Sequence, residues 1–238
     1  MHKQKVWIFG DSFGDPDYNT ASNYSWVKEL ATLYDVTNFA HRGVGADWVI
    51  KQLCDATVNK DLSDTILIVL MPSVVRLNLS FYKQPSDQVY TTMIALPKNQ
   101  DQLELIQPYI KHKEFVESMF TYYVDRDFTN RELMKSIGII KLYSSLFKKT
   151  LVWNIDDDLP DNLATIVVNT DNFYYVNCGL YSISKQEGII VKHGTDYRAN
   201  HLSYDNHVIM LQELTNWINN GTQITLSNFR RDIQSVGT

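Results

Sequence analysis

The sequence predicts an α/β domain of three layers, in which helices cover both faces of a mostly parallel sheet of about five strands. Three observations support this fold class. Short apolar strand patterns alternate along the chain with amphipathic helix patterns. One strand pattern, residues 66–71, has no polar residue, as expected of a central strand buried on both faces. The 238 residues, 44% of them hydrophobic, suffice for one core, so a single domain is expected over residues 1–238.

The first half of the chain alternates strand and helix. Five elements are predicted in that order, over residues 5–9, 25–34, 36–40, 46–54 and 66–71. Apolar residues at helical spacing should form the inner faces of the two helices: Trp26, Val27, Leu30 and Leu33 in the first, and Val49, Ile50 and Leu53 in the second. A strand, a helix and a parallel strand in succession are typical of a doubly covered sheet.

The second half supplies two more strands and a final helix. The strands are predicted over residues 151–155 and 173–176, and the helix over residues 204–218. Its inner stripe is predicted to be Val208, Leu211, Leu214 and Ile218. Asn219-Asn220-Gly221 should end this helix, because glycine is the usual residue just past a helix terminus.

Residues 76–150 are predicted to be a helical insertion after the third strand. The segment is far longer than the dozen or so residues that a crossover requires. It contains two amphipathic patterns, one through Phe115 and Met119, and one through Leu133, Ile137, Ile140 and Phe147. The second is preceded by a candidate capping box, Thr129-Asn130-Arg131-Glu132. We place the insertion beside the carboxyl edge of the sheet, where it is either a structural cap or a lid that shapes a substrate site.

Composition excludes several classes of function. A net charge of −5, with the 22 basic residues spread along the chain, argues against nucleic acid as a partner. The two cysteines, Cys54 and Cys178, lie in apolar settings and have no CxxC spacing, so we expect buried, reduced thiols. The apolar run after the basic N-terminus is too short for a signal peptide, and the longest run is too short for a membrane span. A location in the cytoplasm is therefore expected, with no membrane partner.

Ser12 is the first candidate for chemistry. It lies in Gly10-Asp11-Ser12, directly after the first strand, where open α/β sheets bind their ligands. A serine hydroxyl becomes a nucleophile when a neighbouring base accepts its proton, and histidine suits that role because its pKa is near neutral. The structural alternative for Ser12 is a turn or helix-capping serine.

Three segments of the sequence together resemble the SGNH (GDSL-like) hydrolase family. They are Gly10-Asp11-Ser12, Asn38-Phe39-Ala40-His41-Arg42-Gly43 after the second strand, and Asn200-His201-Leu202-Ser203 before the last helix. They occur in the family's order and cover most of the chain outside residues 76–150. A weaker similarity is to divergent members that bacterial viruses encode, and it makes a virus particle the alternative location. It rests on two segments together, Pro72-Ser73-Val74-Val75-Arg76 and Arg198-Ala199-Asn200-His201-Leu202-Ser203. The resemblance implies a flavodoxin-like strand order and a serine hydrolase.

The resemblance also implies roles for individual residues. Ser12 would be the nucleophile and His201 the base, with the backbone N–H groups of Ser12 and Gly43 in the oxyanion hole. The family's third oxyanion donor is an asparagine after the third strand, and Ser73 stands at that position here. Arg76 either supplies positive charge to the site or forms an ion pair on the insertion. Gly45 is predicted to have a conformational role. Asp11, Arg76 and Asn200 are candidates for substrate binding.

The acid of the catalytic triad departs from the family pattern. The family has aspartate three residues before the histidine, where this chain has Arg198. Asp196 is the nearest acid on that loop and would hold the tautomer of His201 and stabilise its imidazolium. Asp205 is the second candidate, and a Ser-His dyad supported by a backbone carbonyl is the third possibility. We expect structural roles for His41, His193 and His207, and solvated side chains for His2 and His112.

The sequence thus predicts a serine esterase or deacetylase that cleaves a small acyl ester, with a carbohydrate as one candidate acyl carrier. No cofactor is predicted, and Asp156-Asp157-Asp158 is interpreted as a solvated loop rather than a metal site. The alternative function is a binding or structural protein on the same fold, such as a carbohydrate-binding or virion component. In that case the aromatic residues of the insertion would form the binding surface. Acyl transfer to an acceptor other than water would use the same residues. The sequence leaves the oligomeric state open.

Overall fold

Five parallel strands form one sheet at the centre of the molecule. The computed structural model describes residues 2–17, 24–42, 44–72, 126–155, 167–176, 178–180, 183 and 202–229. The strands are β1 (Lys5–Phe9), β2 (Asp35–Asn38), β3 (Thr65–Met71), β4 (Lys149–Asn154) and β5 (Phe173–Val176). They lie in the order β2-β1-β3-β4-β5, and every pairing is parallel. The predicted α/β class and the flavodoxin-like order are therefore correct.

Four α-helices lie in the described ranges, two on each face of this sheet. They are α1 (Trp26–Leu33), α2 (Ala46–Thr57), α3 (Arg126–Ser144) and α4 (Tyr204–Asn220), and a 3-10 helix, Leu226–Asn228, follows α4. The helices α1 and α4 share one apolar core with the sheet, and α2 and α3 share the other. Alternate residues of β3 enter the two cores, and all seven of its residues are buried. The three-layer arrangement follows from strands that are apolar on both faces.

The order of the strands explains which helix covers which face. From β1 the chain moves to one side to form β2, and then crosses back over β1 to form β3. Because crossovers between parallel strands are right-handed, a reversal of direction puts the next helix on the opposite face. Accordingly α1 packs on one face, and α2 and α3 pack on the other.

The predicted strands match closely, whereas three details of the helices were wrong. Leu33 was expected on the inner face of α1, but half of it is exposed, and Tyr34 is buried in its place. On α4, Leu214 and Ile218 are buried as predicted, but Val208 and Leu211 are only half-buried. The sheet-facing stripe of α4 includes instead the buried residues His207, Met210 and Trp217.

The third correction concerns residues 76–150. The helix α3 begins at Arg126, so the predicted capping box at residues 129–132 lies inside it and does not start it. Leu133, Ile137 and Ile140 are buried in the core beneath the sheet, together with Phe147. Residues 126–144 are therefore the ordinary crossover helix between β3 and β4 rather than part of an appended insertion. The rest of the predicted insertion, residues 76–125, lies outside the described residues.

The two cysteines are free thiols, but both are half-buried rather than fully buried as predicted. The side chain of Cys54 on α2 lies close enough to the phenol of Tyr143 on α3 to raise its pKa. This contact joins the two helices that cover the same face of the sheet. Of the helices that the structure describes, none is long and apolar enough to cross a lipid bilayer.

Candidate active site

Ser12 lies where the connections of the sheet reverse direction. The strands β1 and β3 are neighbours, but the connection after β1 leads to one side of the sheet and the connection after β3 leads to the other. In open α/β sheets this point opens a crevice at the carboxyl ends of the strands, where ligands bind. Ser12 follows the end of β1 by three residues, so it is placed at this crevice.

A tight turn fixes the backbone around Ser12. Gly10 has φ +157°, and a Cβ added there would lie 2.8 Å from both Cβ and the carbonyl oxygen of Leu70 on β3. The Asp11 carboxylate accepts a hydrogen bond from the backbone N–H of Phe13 at 3.1 Å. The Asp11 carbonyl accepts from the N–H groups of Gly14 and Asp15, at 3.0 and 3.1 Å. Asp11 is fully buried and Ser12 is 5% exposed, so the hydroxyl is carried by a rigid, well-packed turn.

The segment after β2 is fastened to this turn by several hydrogen bonds. The Asn38 side chain donates to the Gly14 carbonyl at 2.8 Å and accepts from the Ala40 N–H at 2.7 Å. The His41 N–H donates to the Gly10 carbonyl at 3.0 Å. The Arg42 N–H donates to the carboxylate of Asp15 at 3.3 Å. The backbone that leads to Gly43 is therefore held directly beside the Ser12 turn.

The Ser12 turn also contacts the helix layer formed by α1 and α4. The indole N–H of Trp26, the first residue of α1, donates to the Phe13 carbonyl at 3.0 Å. At the start of the two helices the rings of Tyr24 and Tyr204 lie 5.0 Å apart. At their ends the Tyr34 hydroxyl donates to the Asn219 side chain at 3.0 Å. The helices therefore run side by side in the same direction, and both begin at the carboxyl edge of the sheet.

Leu202 belongs to the same apolar core as Phe13 and Trp26. Ser203 is the N-cap of α4, and its hydroxyl accepts from the Asn206 N–H at 3.3 Å. The chain therefore enters α4 at the edge that carries Ser12. Phe13 directly follows Ser12, and Leu202 directly follows position 201. Although nearly the whole chain separates Phe13 from Leu202, both belong to one core at this edge of the sheet.

Asp11 and Ser12 are the predicted site residues that lie in the described part of the chain. The other predicted members of the site lie outside the described residues: Gly43, Ser73, Arg76, Asp196, Asn200 and His201. Asp205, the second candidate for the triad acid, is half-buried in the first turn of α4. Gly45 is the N-cap of α2, and its backbone is extended, with φ −96° and ψ 174°.

Two of the histidines expected to be structural are described at this edge. His207 is 3% exposed and faces the sheet from α4, which agrees with a structural role. His41 is exposed, its Nδ1 lies 3.0 Å from the Arg42 carbonyl oxygen, and its ring is 5.9 Å from that of Trp48. If Nδ1 donates to that carbonyl, Nε2 becomes the basic nitrogen of the ring. The structure thus places the imidazole of His41 next to the Ser12 turn.

Asn38 and Asp15 hold the segments after β1 and β2 together, although the sequence predicted no role for either residue. Asn38 joins the segments after β1 and β2, and Asp15 accepts from the Arg42 N–H. A signal was present for Asn38, because it is the first residue of the segment that resembles the hydrolase family. No comparable signal marked Asp15, because an aspartate directly after a glycine is common in turns.

The described part of the edge has electrostatics that suit a developing anion. Helix N-termini carry partial positive charge, and α1, α2 and α4 all begin at this edge. Because the N-cap of α2 is a glycine, Gly45, no N-cap side chain accepts from the backbone N–H groups of its first turn. Over the described ranges, no three His, Cys, Asp or Glu side chains are grouped in a way that would hold a metal ion.

Comparison with known proteins gives no independent assignment. No protein-family model matches the sequence, and no curated protein matches it significantly. The functional conclusion is therefore built on the residues at the carboxyl edge and their geometry.

Proposed function

We propose that the protein is a serine hydrolase of the SGNH type that removes a small acyl group from an ester. One observation carries this proposal: Phe13 and Leu202, neighbours of Ser12 and His201, share a core at the same edge of the sheet. A nucleophile and its base must lie within hydrogen-bonding distance. That Phe13 and Leu202 belong to one apolar core supports the pairing of their neighbours. The strand order and the rigid turn around Ser12 support the same assignment.

In the proposed mechanism, the Ser12 hydroxyl oxygen attacks the carbonyl carbon of the ester while His201 accepts the hydroxyl proton. The negative charge that develops on the carbonyl oxygen is stabilised by the N–H groups of Ser12 and Gly43, and by the hydroxyl of Ser73. The intermediate collapses as His201 gives its proton to the leaving alcohol, which leaves an acyl-Ser12 ester. Water then attacks this ester, with His201 again accepting and returning the proton. Asp196 orients His201 and stabilises its charged form.

The direct test is the variant Ser12→Ala. We expect it to lose hydrolysis of 4-nitrophenyl acetate by about 1000-fold or more, because the nucleophile is removed. A fluorophosphonate probe should add to Ser12 in the unmodified protein, and mass spectrometry of the digested protein locates the adduct. The matched control is Ser63→Ala, which removes an exposed serine hydroxyl at the opposite edge of the sheet and should preserve both properties.

A second pair of variants identifies the base. His201→Ala should reduce hydrolysis about as strongly as Ser12→Ala, whereas His41→Ala should retain most of the activity. Loss of activity in His41→Ala alone would make His41, whose N–H donates to the Gly10 carbonyl, the base instead. If the unmodified protein forms no adduct and hydrolyses no short-chain ester, the proposal fails. A binding or structural protein on the same fold is then the conclusion.

A further inference from the structure

Two tyrosines form an exposed aromatic surface at the rim of the candidate site. Tyr204 is the first residue of α4, and 54% of it is exposed. The ring of Tyr24, which precedes the N-cap of α1, packs against it at 5.0 Å with an angle of 57° between the planes. Tyr24 is half-buried and contacts the Tyr204 ring, more than half of which stays exposed.

This tyrosine pair is close to the Ser12 turn. Trp26, two residues after Tyr24, donates its indole N–H to the carbonyl of Phe13 at 3.0 Å. On the same rim, Lys28 of α1 forms an ion pair at 3.3 Å with Asp17, which follows the Ser12 turn. The tyrosine pair and Ser12 therefore lie at the same edge of the sheet.

The surroundings of the pair favour a sugar ring over a hydrocarbon chain. Charged groups flank the pair, among them the Glu29 carboxylate and the Lys28–Asp17 ion pair, so the rim is not a continuous apolar groove. Burial, together with the negative charge of Glu29 and the proximity of Tyr204, raises the pKa of the Tyr24 phenol. The phenol therefore stays neutral and keeps its O–H at physiological pH. A pyranose has an apolar C–H face for an aromatic ring and hydroxyl groups at its edge for carboxylate and phenol partners.

We propose that Tyr24 and Tyr204 form a subsite that binds a neutral sugar ring of the acyl-bearing substrate. The subsite rests on the proposed function for its position, and it makes carbohydrate esters the substrate class. The exposed face of Tyr204 stacks on the sugar, and Tyr24 holds that ring in place.

Binding is measured without catalysis, in a Ser12→Ala background, by titration calorimetry with xylohexaose, cellohexaose and N-acetylchitohexaose. We expect at least one of these to bind, and Tyr204→Ala to weaken that binding by roughly two- to tenfold, the range of an aromatic contact. Tyr204→Phe keeps the ring and should retain the affinity. Leu142→Ala, which shortens a side chain that is 76% exposed on α3 at the other face of the sheet, should have no effect.

Two outcomes overturn the subsite: none of the three oligosaccharides binds, or Tyr204→Ala binds as well as its parent. Its failure is distinguishable from failure of the proposed function. Hydrolysis of 4-nitrophenyl acetate by the unmodified protein tests the proposed function of Ser12, whereas oligosaccharide binding in the Ser12→Ala background tests the tyrosines. Circular dichroism of each variant verifies that it is folded.

Discussion

At the scale of single residues, the position of Ser12 depends on a close contact between the end of β1 and β3. Gly10 permits this contact, because any side chain there would meet both the Cβ and the carbonyl of Leu70 at 2.8 Å. Its φ of +157° is also one that residues with a Cβ rarely adopt. The glycine of Gly-Asp-Ser is thus a structural requirement for presenting the serine.

Gly10→Ala should therefore lower the free energy of unfolding by about 2–4 kcal/mol, through overpacking and backbone strain. The matched control is Gly138→Ala in the interior of α3, where an added Cβ meets nothing within 4 Å. That substitution should raise stability by about 0.5–1 kcal/mol, because alanine loses less backbone entropy in a helix than glycine does. Urea unfolding of both variants measures the difference, and equal stabilities would contradict the role given to Gly10.

The sequence predicted Ser12 at the end of a strand because a β-branched, aromatic run followed by glycine is a local signal. It did not predict the exposure of Leu33, although the helical period puts that residue on the inner face. The helix α1 ends at Leu33, and the chain then turns so that Tyr34 packs into the core instead. Periodicity describes the interior of a helix, whereas its last residue also depends on where the chain goes next.

At the scale of elements, the end of the described chain is attached to α4 through one carboxylate. Glu213 is 6% exposed, and its two oxygens accept from the Thr225 N–H and from the Asn228 side chain, both at 2.7 Å. Thr225 is the N-cap of the 3-10 helix that ends with Asn228. Hydrogen bonds to a charged group contribute about 1.5–3 kcal/mol each, so this contact is a strong local restraint.

Glu213→Ala should release the segment that contains the 3-10 helix and lower the free energy of unfolding by about 1–3 kcal/mol, because two hydrogen bonds to a buried carboxylate are lost. Limited proteolysis followed by mass spectrometry should show faster cleavage after residue 221. Gln212→Ala, one position earlier on the exposed side of α4, should leave cleavage unchanged. Similar cleavage rates in the two variants would show that the segment is held by its apolar contacts instead.

The helix α3 illustrates why the boundaries of elements are harder to predict than their existence. Its buried stripe was predicted, but its start was placed at Thr129 from a capping-box pattern. A threonine three residues before a glutamate is also compatible with a helix interior. Arg126, Asp127 and Phe128 have ordinary helix propensities, so nothing local stops the helix there.

At the scale of the whole molecule, three tyrosines have a raised pKa, and they lie on both faces of the sheet. The pKa of Tyr174 is raised by burial and by the nearby charge of Glu213, although its contact with the Ile224 N–H opposes this. The pKa of Tyr143 is raised by its hydrogen bond and its electrostatic interaction with Cys54, and the pKa of Tyr24 is raised by burial. In the unfolded chain these phenols lose their protons near the ordinary value of 10.0.

The folded state therefore binds these protons more tightly, so the contribution of the three tyrosines to the free energy of unfolding should be constant below about pH 9 and fall as pH rises through 10. Urea unfolding at about pH 8 and about pH 10.5 measures the fall. Tyr174→Phe removes one of the titrating groups and should make the fall smaller, even if its stability at pH 8 is lower. A fall of the same size in the variant would contradict a contribution from Tyr174.

The sequence by itself determined the fold class, the strands and the presence of Ser12 after the first of them. Each of these depends on residues that are neighbours along the chain, through apolar periodicity, strand composition and a glycine at the strand end. Only the tertiary structure decided that α3 is a core helix, that Asn38 and Asp15 hold the two loops together, and that Tyr24 meets Tyr204. Those facts depend on contacts between segments far apart in sequence, which form when the sheet aligns the carboxyl ends of its strands and the starts of its helices at one edge.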